Sequence, residues 1–284
     1  MKRSNLLLIC LSAILISSIG QQAYSQNPKK ADSFSFAFMT DIHIEYSPKT
    51  LLGFERTIST VNSLKPDFVI TGGDNVKDAR QQRESYADSL YNLYNSLVKK
   101  FKMPVHTGIG NHEFFGINNP GISPSNPVYG PKMYEAKIGR TYYSFEHKGW
   151  KFFLINDIKN TETDKKYIGF IDEEQMKWLR DELAATDPAT PIVVCSHIPF
   201  ISSMKKFEFG SLSGTPENDG VANSKEFFSL FEKHNLKLIL QGHFHFFEVL
   251  YANDIYYITS PAPTAGIFMF DAGKDTLQWR FVKN

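Results

Sequence analysis

Apolar and polar positions along the chain fall into alternating strand and helix patterns. Phe34–Met39 alternates with the period of a strand. Ser47-Pro48 reads as a turn. Thr50 to Leu64 then sets Leu51, Phe54, Ile58, Val61 and Leu64 at spacings of three and four, which predicts a helix. Asp67 to Thr71 is the next strand. Asp78 to Phe101 predicts a long amphipathic helix with Tyr86, Leu90, Leu93, Tyr94 and Leu97 on one core-facing stripe. Pro104 to Ile109 reads as a strand. Phe114 to Arg140 is irregular and carries Pro120, Pro124, Pro127 and Pro131, the character of a long loop beside a site. Thr141–Glu146 and Trp150–Ile155 form a predicted hairpin around His147-Lys148-Gly149. Asp172 to Ala185 predicts a helix with Asp172 as N-cap and Asp187-Pro188 as its stop. Ile192–Cys195 is a strand, Pro199 to Gly220 a second long loop, Asn223 to His234 a helix and Leu238–Leu240 another strand. Four further strands close the chain: Phe247–Tyr251, Ile255–Thr259, Gly266–Phe270 and Leu277–Val282. Patterning alone implies mixed α and β structure in one domain over residues 34–284.

Five of the strand-like runs end in polar residues of the kind that bind metals. Asp41-Ile42-His43 follows Phe34–Met39, and Gly73-Asp74-Asn75 follows Phe68–Thr71. Gly110-Asn111-His112-Glu113 follows Val105–Ile109. Ser196-His197 follows Ile192–Cys195, and Gly242-His243-Phe244-His245 follows Leu238–Leu240. Open α/β sheets build their sites at the carboxyl ends of strands. Carboxylates with imidazoles suit a pair of transition-metal ions, and a short His-x-His segment in extended chain would project both rings to one side. His106, His147 and His234 lie outside these clusters and read as structural residues.

The ordered set D-x-H, G-D, G-N-H-E, H and G-H-x-H resembles the calcineurin-like metallophosphoesterase superfamily, its phosphodiesterase and acid phosphatase-like branches included. The resemblance spans Asp41 to His245. It implies a four-layer sandwich of two mixed β-sheets flanked by helices, and an enzyme that hydrolyses phosphate esters with a hydroxide bridging two metals. In the family pattern Asp41, His43, Asp74 and His245 would hold one ion, and Asp74, Asn111, His197 and His243 the other, with Asp74 shared. Asn111 and His112 would contact the substrate phosphate, and His112 would be the general acid. Glu113 would orient His112 or form a nearby salt bridge. The purple acid phosphatase branch carries a tyrosine where this chain has Lys77 and a second carboxylate where it has His43, so a tyrosinate-bound ferric ion is not expected. Two divalent ions, Mn, Fe or Zn, suit the donor set. The Asp-x-His start and Ser196-His197-Ile198-Pro199 are similar to the cyclic-nucleotide phosphodiesterase branch, and both diester and monoester substrates stay open. Tyr129, Tyr134, Phe207 and Phe209 are candidates to stack a base. Lys205-Lys206 reads as a solvated loop face. A catalytically silent scaffold of the same fold is the alternative, which the intact donor set disfavours.

Charge and the amino terminus narrow the picture further. The chain has 284 residues and a formal net charge of +1. Residues 1–25 read as a signal peptide: Lys2 and Arg3 precede an apolar stretch from Leu6 to Ile19, and Ala23-Tyr24-Ser25 offers a cleavage site. That stretch is shorter than the ~20 residues of a spanning helix, the competing reading. Leu7-Leu8-Ile9 before Cys10 lacks the small residue of a lipoprotein signal. Residues 26–33 are a polar leader. Loss of Lys2 and Arg3 leaves 29 basic against 30 acidic residues, so bulk charge supplies no nucleic-acid surface. The expectation is an exported, periplasmic or secreted protein acting on a small phosphate ester, a nucleotide being one candidate. Cys195 is the one cysteine left after cleavage and reads as a buried apolar residue.

Overall fold

The computed structural model describes residues 33–161, 167–204, 220–274 and 276–284. The signal and most of the leader, Lys205-Lys206, Phe207 and Phe209 lie outside the described residues. Thirteen strands are described: β1 (Phe34–Met39), β2 (Phe68–Gly72), β3 (Val105–Gly108), β4 (Tyr143–His147), β5 (Trp150–Leu154), β6 (Ile158–Asn160), β7 (Tyr167–Gly169), β8 (Pro191–Cys195), β9 (Asn235–Gln241), β10 (Glu248–Ala252), β11 (Ile255–Thr259), β12 (Gly266–Ala272) and β13 (Leu277–Lys283). The helices are α1 (Pro48–Leu64), α2 (Glu84–Val98), α3 (Lys132–Lys137), α4 (Glu173–Ala184) and α5 (Ser224–Leu230).

The strands form two large mixed sheets, ordered β13-β12-β1-β2-β3 and β10-β11-β9-β8-β5-β4, beside a β6-β7 ribbon. Strand alternation decides which residues face which layer. Phe34, Phe36 and Phe38 of β1 point inward with Phe68, Phe152, Leu240, Phe268 and Phe270 into a core between the sheets. The rings of Phe36 and Phe270 stack with centroids 4.6 Å apart. The alternate residues Ala37, Met39 and Val69 join Phe54 and Ile58 of α1 and Leu90 and Tyr94 of α2. On the second sheet Phe153 and Val194 join Leu179 of α4 and Phe227 of α5. The architecture is two mixed sheets face to face with helices outside, as the motif order implies. No helix among the described residues is long and apolar enough to cross a membrane.

Several boundaries differ from the patterning, each for a local reason. α1 begins at Pro48, because proline needs no hydrogen bond in a first turn. The helix expected over 78–101 is shorter, Glu84–Val98. Its first residues bond elsewhere: Ala79 N–H donates to His112 O at 2.8 Å, and Arg80 O accepts from Asn118 N–H at 3.1 Å. The helix expected over 223–234 stops at Leu230. α3 and the β6-β7 ribbon lie in stretches too short for periodicity to register. Asp172 does cap α4, its carboxylate accepting from Gln175 N–H at 2.8 Å. The Lys148-Gly149 turn joins β4 and β5 with φ of 44° and 78°, the left-handed backbone of a tight hairpin.

Candidate metal centre

β1, β2 and β3 run parallel in one sheet, and β5, β8 and β9 run parallel in the other. Their carboxyl ends deliver all seven expected donors to one place. Asp41, His43, Asp74 and His245 form one group whose donor atoms lie within 4.8 Å of one another, and Asp74, His197 and His243 form a second. Asn111 joins the second group: its Oδ1 is 3.1 Å from both His197 Nε2 and His243 Nδ1. Asp74 belongs to both, with Oδ2 3.2 Å from His197 Nε2 and 3.7 Å from His43 Nε2.

The backbone is bent to achieve this. Asp41, His43, Asp74, His243 and His245 all hold positive φ, between 48° and 70°. That region is sparsely occupied by residues with a Cβ and clusters at functional sites. It also corrects the extended His-x-His expectation. β9 ends at Gln241, and the left-handed turns send His243 to Asn111 and His245 to Asp41, whose Oδ1 lies 3.1 Å from His245 Nε2. Gly73, with φ 95°, lets the Asp74 loop close on its neighbour. A Cβ there would meet Gly110 N and Ile109 O at 2.7 Å and His197 Nδ1 at 2.8 Å.

Hydrogen bonds behind the rings decide which atoms face the centre. His197 Nδ1–H donates to Gly72 O at 3.0 Å and His43 Nδ1–H to Lys77 O at 3.3 Å. In the neutral rings both Nε2 atoms then present lone pairs inward. His43 Nε2 and His245 Nε2 stand 3.1 Å apart, and His197 Nε2 faces the oxygens of Asn111 and Asp74. In the neutral rings these nitrogens would set lone pairs against oxygens and against one another, and a cation in place of the ring protons would satisfy them all, so the residues fit metal ions. The charges respond to the crowding. Burial alone would raise the Asp74 pKa, yet the neighbouring imidazoles of His197 and His112 hold it well below the usual carboxylate range. Burial opposes a proton on His197, but Asp74 overrides it and holds the pKa up to about 10. Burial, with His197 beside it, pushes His243 down to about 3.

His112 sits at the rim. Its backbone N–H donates to Asp74 Oδ1 at 2.8 Å, its Nδ1–H donates to Lys77 O at 2.6 Å, and its Nε2 lies 3.8 Å from Asp74 Oδ2. Among the described residues Glu113 has no salt-bridge partner and does not bond to the His112 ring. It is fully buried, and its carboxylate accepts backbone N–H groups from Asp74, Asn75, Val76 and Gly110 at 2.7–3.0 Å. Burial and the Asp74 charge push its pKa up, and the four N–H groups pull it back toward the ionised form in which both oxygens accept. Tyr134 cannot stack a base: it is fully buried and donates to Thr107 O at 2.9 Å. Tyr129 is half-buried against the Gly116 turn. His106 stacks on Phe145, His147 lies at the far end of β4, and Cys195 is buried.

Three participants escaped the patterning. Asp78 and Arg80 fall in the stretch expected to be helical, and nothing in that pattern marks them. Arg80 Nη2 reaches His112 Nε2 at 2.8 Å. Asp157, in the turn after β5, accepts the N–H groups of His197 and Ile198 at 3.1 and 2.7 Å and so holds the His197 loop. Its only sequence signal was an acid just past an apolar strand.

Comparison with known proteins follows the same lines. The model of the calcineurin-like phosphoesterase family matches residues 34–247. No curated protein matches the chain. Among solved structures, a dimetal phosphatase from Danio rerio is similar at 14% identity, over 87% of this chain and 98% of that one, with a TM-score of 0.61. GAP50, the anchor in the inner membrane complex of Plasmodium, is similar at 15% identity, over 88% and 84%, with a TM-score of 0.54. A Staphylococcus aureus protein assigned as a 5′-nucleotidase is similar at 14% identity, over 88% of this chain but 53% of that one, with a TM-score of 0.52.

Proposed function

The chain belongs to the calcineurin-like phosphoesterase family, hydrolases of phosphoric esters, and from that premise we propose a two-metal phosphoesterase acting on small phosphate esters outside the cytoplasm. The observation that carries the reading is Asp74 Oδ2, common to two donor groups that otherwise share nothing. Asp41, His43, Asp74 and His245 would hold one divalent cation, and Asp74, Asn111, His197 and His243 the other. When bound, such a pair neutralises phosphoryl oxygens and makes water a nucleophile at neutral pH. Mn, Fe(II) and Zn all suit the nitrogen and oxygen donors.

The chain's own residues do the rest. Asn111 and His112 contact the phosphoryl group from the β3 loop. Lys77 O anchors His112 through Nδ1, which leaves Nε2 to deliver a proton to the leaving oxygen. The nucleotidase-assigned neighbour brings nucleoside monophosphates into the range of candidate esters. Residues 1–25 are proposed as an export signal, tested by sequencing the amino terminus of protein recovered from the cell envelope.

GAP50 prompts the second reading, since a protein of this fold is described as an anchor. Under it the chain would bind metal and turn nothing over. Nitrophenyl phosphate, bis-nitrophenyl phosphate, cyclic nucleotides and nucleoside monophosphates, assayed for product release with added Mn, Fe(II) or Zn, separate the two. Metal uptake without turnover of any ester would leave the anchor reading. In the active protein, His112→Ala should cut turnover by about a hundredfold or more while metal content holds. Asp74→Ala should empty both positions in elemental analysis. Loss of metal from the His112 variant would contradict the assignment of roles.

A further inference from the structure

Arg80 stands where the His112 proton would leave. Its backbone N–H and Nε both donate to Asp78 Oδ1, at 2.9 and 3.0 Å, which fixes the plane of the guanidinium. That pairing uses the inner edge and turns the Nη edge toward the site. Nη2 donates to His112 Nε2 at 2.8 Å, and Nε2 is 3.8 Å from the shared Asp74 oxygen. Among the described residues Nη1 has no protein acceptor. The Arg80 side chain is only 15% exposed, so its charge acts with reduced solvent screening.

An ester oxygen close enough to take a proton from Nε2 also enters hydrogen-bonding range of Nη2. We propose that Arg80 is a specificity-determining ligand of the substrate phosphoryl group, favouring dianionic phosphomonoesters over monoanionic diesters. The proposal rests on the phosphoesterase reading and deepens it. Its physical basis is a count of charged oxygens. A monoester keeps three non-bridging oxygens that share two negative charges. A diester replaces one of them with a neutral ester oxygen. With two oxygens directed at cations, the third of a monoester meets the guanidinium in a charge-assisted hydrogen bond that the diester cannot form as well. Arg80 would leave His112 Nε2 for that oxygen, and Nε2, no longer accepting from the guanidinium, would take up a proton from solvent and carry it to the leaving group. Asp78 keeps the guanidinium in reach of both partners.

The test compares Arg80→Met and Arg80→Lys with the wild type, each as the full chain loaded with manganese and checked for equal metal content. Calorimetric titration with inorganic phosphate and with dimethyl phosphate reads the charge preference directly. Phosphate binding should weaken by about tenfold or more in Arg80→Met, dimethyl phosphate by less than about twofold, and Arg80→Lys should recover part of the loss. The ratio of kcat/KM for nitrophenyl phosphate to that for methyl nitrophenyl phosphate should fall by a similar factor. Equal weakening of both anions, or of neither, overturns the proposal, as does a wild type that binds neither anion. A wild type that hydrolyses no ester but shows the binding asymmetry would sink the enzyme reading while upholding Arg80 as the dianion ligand.

Discussion

Glu113 gathers four backbone N–H groups from two loops, and both loops carry residues of the candidate metal centre. A carboxylate with four such partners is an acceptor on both oxygens. Glutamine would aim an NH2 group at N–H donors and leave at least one of them buried and unpaired. Glu113→Gln should therefore lower unfolding free energy by about 3 kcal/mol, read from a shift in the denaturant midpoint. The same variant should bind metal more weakly, since the Asp74 turn loses its support. Retention of wild-type stability and metal affinity would show that the loops hold without it. His112 and Glu113 are neighbours with different duties. One points its ring at the rim, and the other turns inward to the backbone.

The two sheets meet at their edges through β3 and β4, where the His106 ring lies flat on Phe145 with centroids 3.6 Å apart. Burial, with His147 adding to it, lowers the His106 pKa from 6.5 to about 4. The sign follows from proton uptake. Below pH 6.5 the unfolded chain takes a proton that the folded edge refuses until about pH 4. Stability from this contact is complete above pH 6.5 and declines as the pH falls toward 4. His106→Phe keeps the stack and cannot titrate. The drop in Tm between pH 7 and pH 4.5 should be smaller for the variant than for the wild type, measured by calorimetry. Equal drops would mean that the ring is not held in its neutral form. Elements also set the limits of patterning. The polar stretch 78–83 was expected to open the second helix, but its backbone partners lie in the loop after β3, and no local rule foresees that choice.

For the whole molecule, the candidate metal centre joins two sheets that also meet through apolar side chains and through a few polar contacts such as Trp150 Nε1–H to Gly273 O at 3.0 Å. Asp41, Asp74 and Asn111 come from one sheet, His197 and His243 from the other. Cations bound there would hold the native arrangement and have no comparable partner in the unfolded chain. Manganese at a hundred times its Kd should raise Tm by roughly 5 to 10 °C for a chain of this size, and a chelator should reverse the rise. A Tm indifferent to every divalent ion would argue against a metal centre.

Much of this was written along the chain. Strands that face a core on one or both sides must be apolar, so β1, β2, β8 and β9 announce themselves, and the polar residues at their ends stand out by contrast. The order of Asp41, Asp74, Asn111, His197 and His243 was likewise open to reading, because each follows its strand directly. What the chain alone did not disclose depends on contacts between distant segments. The left-handed turns at the donors, the four-way grip of Glu113 and the meeting of Arg80 with His112 exist only once two parallel sets of strands lie side by side. A linear pattern records which face a residue prefers. Where that face ends up pointing is decided by the packing of the other layers against it.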